Sequence, residues 1–377
     1  LISFVPALKL IKSIENTLIS DFPYRLDLFT PIVETEKQHK IFKLLLNEAM
    51  YAERNVLLDW ANGFVDRDHK FVKEFQTTFE SSFWELYLNK ILKSENIDID
   101  YKHHAPDFVC NKNNSAFCIE ATIANPEQDG LPAYGFGGEY LDFEIDFKEF
   151  NRKSIIRIAN SIVSKAQKFK KSYKNLSHVN GKPFILGLNS FDRPHSHFIG
   201  HRGLIAVLYG IYLNEEKAIS DKLNYLPRER MDFIEKDNGA EIPLGFFTTS
   251  EYEDISAVIY NPYATWGKVR ALAEVSEANK TTFFNALYTR DDVSESTLIP
   301  DIREGIPKEE YKESIFDGLY IFHNPHAKYP FPDFLFNDPH IAHFSVDDHG
   351  NLLESVGEKF LLSRSLISSY ASSMIPE

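Results

Sequence analysis

Two periods of hydrophobic and polar positions divide this chain. Over residues 6–78 the apolar residues of LKLIKSIENTLI and KIFKLLLNEAMYAERNVLLDWANGF recur every three or four positions, the spacing of amphipathic helices. The next run, FVKEFQTTFESSFWELYLNKIL, is interrupted near Ser81 and Ser82 and resumes with Phe83, Leu86, Tyr87 and Ile91 on one side, with Ser82 placed to cap the new helix. Beyond it the pattern shortens into strands bounded by turn residues: IDIDY, PDFVC, AFCIEATI, PFILGLN, LGFFTT, SAVIYN and GLYIFHN. Helical stretches fall between them at 154–174, 270–278 and around 203–217. Strands alternating with helices predict an α/β domain over residues 79–377, preceded by an N-terminal helical region over residues 1–78. The segment 125–150, rich in Gly, Pro and acids, reads as an excursion over the surface.

One predicted strand, FCIEAT, carries a carboxylate that apolar strands normally exclude, Glu120. The turn-forming stretch NKNNS joins PDFVC to AFCIEAT, which predicts an antiparallel hairpin. A turn centred on Asn113 and Asn114 pairs Val109 with Cys118, Asp107 with Glu120 and Ala105 with Thr122. Directly opposed residues have Cβ atoms about 4.5–5.5 Å apart, and like charges there repel. Solvent, a proton or a cation must offset that repulsion, and two carboxylates suit a hard divalent ion, Mg²⁺ or Mn²⁺. Sliding the register by one residue would instead pair Cys110 with Cys118 and send the two acids to opposite faces. The first register is preferred, because such a cysteine pair is more often two small buried hydrophobes than a bond. Taken singly, Asp107 also reads as a turn-flanking acid after Pro106, and Glu120 as an edge-strand or salt-bridged acid.

Charge sharpens the picture. The formal charge of −14 argues against a polyanion partner on average. Between residues 151 and 182, however, nine basic residues occur with no Asp or Glu, a local electrostatic footprint on an otherwise acidic body. A solvated helix face is the plainer explanation of the same strip. The only cysteines, Cys110 and Cys118, oppose a disulfide framework. No run approaches the roughly 20 apolar residues of a membrane span, and LISFVPALKLIKS is too short in apolar residues for a signal peptide, so a cytoplasmic location is expected.

A helix holding Glu85, then Pro106-Asp107-Phe108, then a strand holding Glu120 resembles the PD-(D/E)XK nuclease superfamily, the restriction-endonuclease-like fold. The resemblance covers roughly residues 79–192 well, and its motif is short and degenerate. It implies a mixed central sheet flanked by helices, with Asp107, Glu120 and the backbone carbonyl of Ala121 holding Mg²⁺ or Mn²⁺. Glu85 would be an additional acid of the metal site, although Ser82-Phe-Trp-Glu85 also fits a capping box. The family places a lysine two residues after the glutamate; here that position is Thr122, which carries no charge. Some members recover this lysine from the following helix. On a helical wheel Ile158, Ala159, Ile162, Val163, Ala166 and Phe169 form one apolar arc with Lys165 at its edge, so Lys165 is the candidate displaced lysine and Gln167 a weaker one. Lys165 could equally be a snorkelling side chain. The implied activity is metal-dependent hydrolysis of phosphodiester bonds, in DNA rather than RNA, with Arg157, Lys168 and Lys171 of the basic strip against the nucleic acid; bacterial defence or repair is the family's habit. With the usual lysine missing, an inactive nuclease-fold module that binds nucleic acid or protein is the alternative, with the N-terminal helical region as the surface for a partner or second copy.

A competing constellation is His195, His197 and His201, whose spacing could serve Zn²⁺ but also suits a solvated loop. His323 and His326 read as a packing turn, and His103 and His104 could modulate the acidic pair. No P-loop, dinucleotide fingerprint, nucleophile elbow or CxxC pair occurs.

Overall fold

The computed structural model describes residues 26–134, 146–289, 300–332 and 335–370. The expected helix at LKLIKSIENTLI lies outside them. Among the described residues, helices α1 (Lys40–Leu45), α2 (Tyr51–Trp60) and α3 (Phe71–Thr77) lead into the longer α4 (Phe79–Ser94). The interruption between α3 and α4 falls at Thr78, where φ is −122° and ψ 40°, and the Thr78 hydroxyl donates to the Glu74 carbonyl. Ser82 is therefore not a cap: it lies buried inside α4, and the expected capping box with Glu85 does not form. The cause is aromatic packing. Phe75, Phe79 and Phe83 recur every fourth residue, and their rings follow one another at 5.2 and 5.5 Å, so the helix is continuous through Ser82.

The strands begin with β1 (Asp98–Ile99), β2 (Phe108–Lys112) and β3 (Ser115–Ala124). Helix α5 (Phe147–Lys168) starts seven residues earlier than the pattern predicts, because Asp146 accepts the Glu149 amide as its N-cap. It runs on as a π-helical turn, Phe169–Tyr173, before β4 (Phe184–Ser190) and α6 (Arg202–Tyr209). Two small hairpin sheets follow, β5 (Ile211–Leu213) with β6 (Arg228–Arg230), and β7 (Phe233–Glu235) with β8 (Glu241–Pro243); α7 (Glu215–Ser220) lies within the first. After β9 (Ala257–Tyr260) and α8 (Trp266–Leu272) come β10 (Phe283–Tyr288), β11 (Asp301–Pro307), β12 (Leu319–His323), β13 (Ile341–Val346), β14 (Leu352–Ser355) and β15 (Leu361–Ile367).

Eight strands form one mixed sheet in the order β1-β2-β3-β4-β9-β12-β13-β14, parallel at β3·β4, β4·β9 and β12·β13. A three-stranded sheet, β11-β10-β15, lies apart from it. Helices cover both faces of the large sheet, as an α/β fold requires. Phe117, Ile119 and Ala121 pack with Phe83, Trp84 and Leu88 of α4, in a core that also takes in Phe42, Leu57 and Phe75 of α1–α3. Cys118, Leu186 and Val258 pack with Ile155, Ile158 and Ile162 of α5 and with α6 on the other face. The indole of Trp84 donates to the Gly187 carbonyl at 2.8 Å, which fixes α4 over β4.

LGFFTT is not a strand. Its amides at Gly245 and Phe246 bond the Val207 carbonyl, and that of Phe247 the Leu208 carbonyl, so the segment satisfies the open end of α6. Among the described residues no helix is long and apolar enough to cross a membrane.

Candidate active site

The hairpin has the first of the two registers. Asn113 and Asn114 both take positive φ, 52° and 64°, as a two-residue hairpin turn demands, and Val109 pairs with Cys118. Cys110 and Cys118 then lie on opposite faces of the sheet, buried and unbonded. Alternation puts Asp107, Val109, Cys118 and Glu120 on the face covered by α5.

The regular strand β2 starts only at Phe108. The approach to it is pinned from outside the sheet: Arg67 donates to the carbonyls of His103, Pro106 and Asp107, the last at 2.9 Å. His178 Nε2 donates to the Ala105 carbonyl at 2.7 Å, and the His103 ring stacks on His178 at 3.7 Å. Because pairing between β2 and β3 lapses here, the Ala121 amide has no strand partner, and Asp107 Oδ2 accepts from it at 2.7 Å. In a strand the amide and carbonyl of one residue point to the same side. Cys118 directs its amide toward Pro183, just ahead of β4, so the Ala121 carbonyl points the opposite way, into the gap beside Asp107.

Glu120 is 1% exposed in the middle of β3. Its Oε1 accepts from Lys165 Nζ at 2.7 Å and from Lys168 Nζ at 2.8 Å, two lysines three residues apart on one side of α5. Its Oε2 is buried with no hydrogen-bond partner. Burial would push the Glu120 carboxyl up, but the two ammonium groups outweigh it and hold it below the usual range. Asp107 is pushed up to about 6 by burial and by the Glu120 carboxylate, against the pull of Lys165 and of the Ala121 amide. Glu85, on α4, is raised well above the usual range by burial and then by Asp107 and Glu74, with Arg67 opposing. Lys168 also lies 5.1 Å from the centre of the Tyr173 ring. Burial raises Tyr173 to about 12, so its phenol is neutral.

The structure thus brings Glu85, Asp107, Glu120, Ala121 and Lys165 to one place, and adds Lys168. The remaining basic residues are more dispersed. Arg157 donates to the carbonyls of Asn125 and Pro126 after β3, Lys171 is exposed, and Gln167 points to solvent. Much of the strip is matched by acids of this chain, Arg152 by Glu149 and Asp237 and Lys174 by Asp254. The histidine constellation serves packing: His201 stacks on Tyr320, and His197 lies against Phe198 and Tyr263. Burial drives both imidazoles down to about 3, hence neutral. His323 Nε2 meets His343 Nδ1 at 2.9 Å.

Sequence reasoning missed Arg67, His178 and Tyr173. Arg67 sits in a turn with no periodic signal, and His178 is brought in by a loop. Tyr173 lies five residues after Lys168, about 140° away on a regular helix, and only the π turn brings the two together.

Among the described residues no group of three or more His, Cys, Asp or Glu is arranged to hold a metal. The oxygen donors that do meet, Asp107, Glu120 and the Ala121 carbonyl, nevertheless fit a hard divalent cation. Glu120 Oε2 is an orphaned buried acceptor, and Asp107 carries a negative charge that its surroundings leave only partly compensated. Compared with profiles of protein families, with curated proteins and with solved structures, the chain matches none.

Proposed function

We propose that this protein is a Mg²⁺- or Mn²⁺-dependent nuclease of the PD-(D/E)XK type, hydrolysing phosphodiester bonds in DNA in preference to RNA, in the cytoplasm. The observation that carries the reading is the ion pair of Lys165 with Glu120 at 2.7 Å. The strand position normally occupied by the lysine holds Thr122, and an ammonium reaches the same carboxylate from α5 instead. Asp107, Glu120 and the Ala121 carbonyl would hold the cation, which when bound would polarise the phosphoryl group and lower the pKa of an attacking water. Glu120 orients Lys165, and the ammonium stabilises negative charge as it builds on the phosphoryl oxygens. Asp107 is kept beside Ala121 by its bond to the amide, and Arg67 holds the chain that presents it. Glu85, on α4, is the third acid near the pair, and burial with the neighbouring Asp107 and Glu74 holds its carboxyl well above the usual range.

One observation favours the alternative of a nuclease-fold module without catalysis: two lysines already neutralise Glu120, as in a structural ion pair. Calorimetric titration with Mn²⁺ separates the two. The nuclease reading expects binding that Glu120→Ala abolishes while the variant stays folded. Absence of binding to the wild-type protein contradicts it and leaves the inactive module.

A further inference from the structure

Four side chains of the candidate site balance one another in charge. Glu120 Oε1 accepts from Lys165 Nζ at 2.7 Å and from Lys168 Nζ at 2.8 Å, and both ammoniums also act on the Asp107 carboxylate. Two carboxylates therefore meet two ammoniums, and the four leave no net negative charge to hold a further cation. Yet Glu120 Oε2 is a buried acceptor with no hydrogen-bond partner.

A divalent cation held by Asp107, Glu120 Oε2 and the Ala121 carbonyl would share one carboxylate with both ammoniums. Like charges that close repel strongly where burial excludes water, and Glu120 is 1% exposed. One ammonium has to leave. The side chain of Lys165 is 21% exposed and that of Lys168 48%, so Lys168 gives up its contact at the smaller cost and has solvent to move into. Lys168 is also the last residue of regular α5, just ahead of the π-helical turn, and its Nζ lies 5.1 Å from the centre of the Tyr173 ring. That ring face can keep hold of an ammonium that has released the carboxylate.

We propose that Lys168 is a resident counter-ion of the metal site: it occupies Glu120 until a divalent cation binds, and the cation then displaces it toward solvent while Lys165 stays on the carboxylate. The exchange deepens the nuclease reading and rests on it for the metal. It accounts for the double neutralisation of Glu120, because one of the two lysines holds the buried carboxylate only in the cation's place. The affinity of the site for its cation is thereby set by a competition inside the protein.

The test uses the full chain with Mn²⁺ alone as the probe, read by calorimetric titration and by acetylation of individual lysines followed by mass spectrometry. Lys168→Gln should bind Mn²⁺ about fivefold more tightly than the wild type, the strength of one half-exposed ion pair that no longer has to be broken. Lys170→Gln removes an equal charge from an exposed position two residues on and should leave the affinity within about twofold. In the wild-type protein, saturating Mn²⁺ should raise acetylation of Lys168 several-fold and leave that of Lys165 unchanged. Unchanged or weaker Mn²⁺ binding by Lys168→Gln, equal tightening by Lys170→Gln, or Lys168 reactivity that Mn²⁺ does not raise overturns the exchange while the nuclease reading stands. If Lys168→Gln does not fold, the reactivity of Lys168 in the wild type decides. Should neither protein bind Mn²⁺, the metal site itself fails and the exchange with it.

Discussion

Asp107→Asn should stabilise this protein at pH 8 and lose that advantage in acid. The folded environment raises the Asp107 carboxyl from 3.8 to about 6, through burial and the neighbouring Glu120 carboxylate. A raised acid binds its proton more tightly folded than unfolded, so stability falls as pH rises from about 4 through 6, and the full penalty is present above that. At 1.36 kcal/mol for each tenfold change, the penalty is at most about 3 kcal/mol. Glu85 and Glu120 titrate with Asp107 and share the repulsion, which leaves roughly 1–2 kcal/mol for the single substitution. An asparagine oxygen can still accept from the Ala121 amide, so the local bond survives. In a chain of this size the gain corresponds to about 1–3 °C in Tm. Thermal melts of both proteins at pH 4 and pH 8, without metal, read it directly. If Asp107→Asn melts below the wild type by the same amount at both pH values, Asp107 carries no unfavourable charge and the reasoning is wrong. Added Mn²⁺ should raise the wild-type Tm by mass action and the variant's much less.

Three other outcomes follow from separate parts of the structure. Asn114→Gly should stabilise by about 0.5–1 kcal/mol in urea unfolding, because φ of 64° suits glycine without strain. Glu53→Ala should cost about 3–5 kcal/mol in the same assay: Glu53 and Arg270 are fully buried, 2.8 Å apart, and tie α2 to α8, so removing one partner strands the other charge. Glu120→Gln should lower the Tm more at pH 8 than at pH 4, since a depressed carboxyl contributes stability above its ordinary pKa of 4.5 that is lost as pH falls.

The hairpin and its two acids were legible because alternation, turn chemistry and register are local. Asn113-Asn114 specified the turn, and one residue of slip would have reversed the faces. Lys165 was legible because a helix with one apolar arc has one edge toward the sheet. Lys168 was legible only as a positive charge; its place on Glu120 follows from the three-residue spacing to Lys165. The start of α4 was misread because Ser82 carries a cap signal that the Phe75, Phe79 and Phe83 stack overrides. LGFFTT was misread because an apolar loop that ends a helix resembles a buried strand in composition. Strands β13–β15 lie beyond the strands marked by the pattern, and their pairing, including the parallel match of β12 to β13, is set by contacts distant in sequence. The paired acids and a cation between them were legible from the hairpin itself; the roles of Glu85, the Ala121 carbonyl and Lys165 came only with the resemblance.

The central claim is most directly tested by incubating plasmid and single-stranded DNA with the protein and Mg²⁺ or Mn²⁺, beside Glu120→Ala and Lys165→Ala. Metal-dependent cleavage by the wild type, abolished by both substitutions in folded protein, is the expected result. Either no cleavage by the wild type, or cleavage that survives Glu120→Ala, would contradict a nuclease site at Glu120 and Lys165.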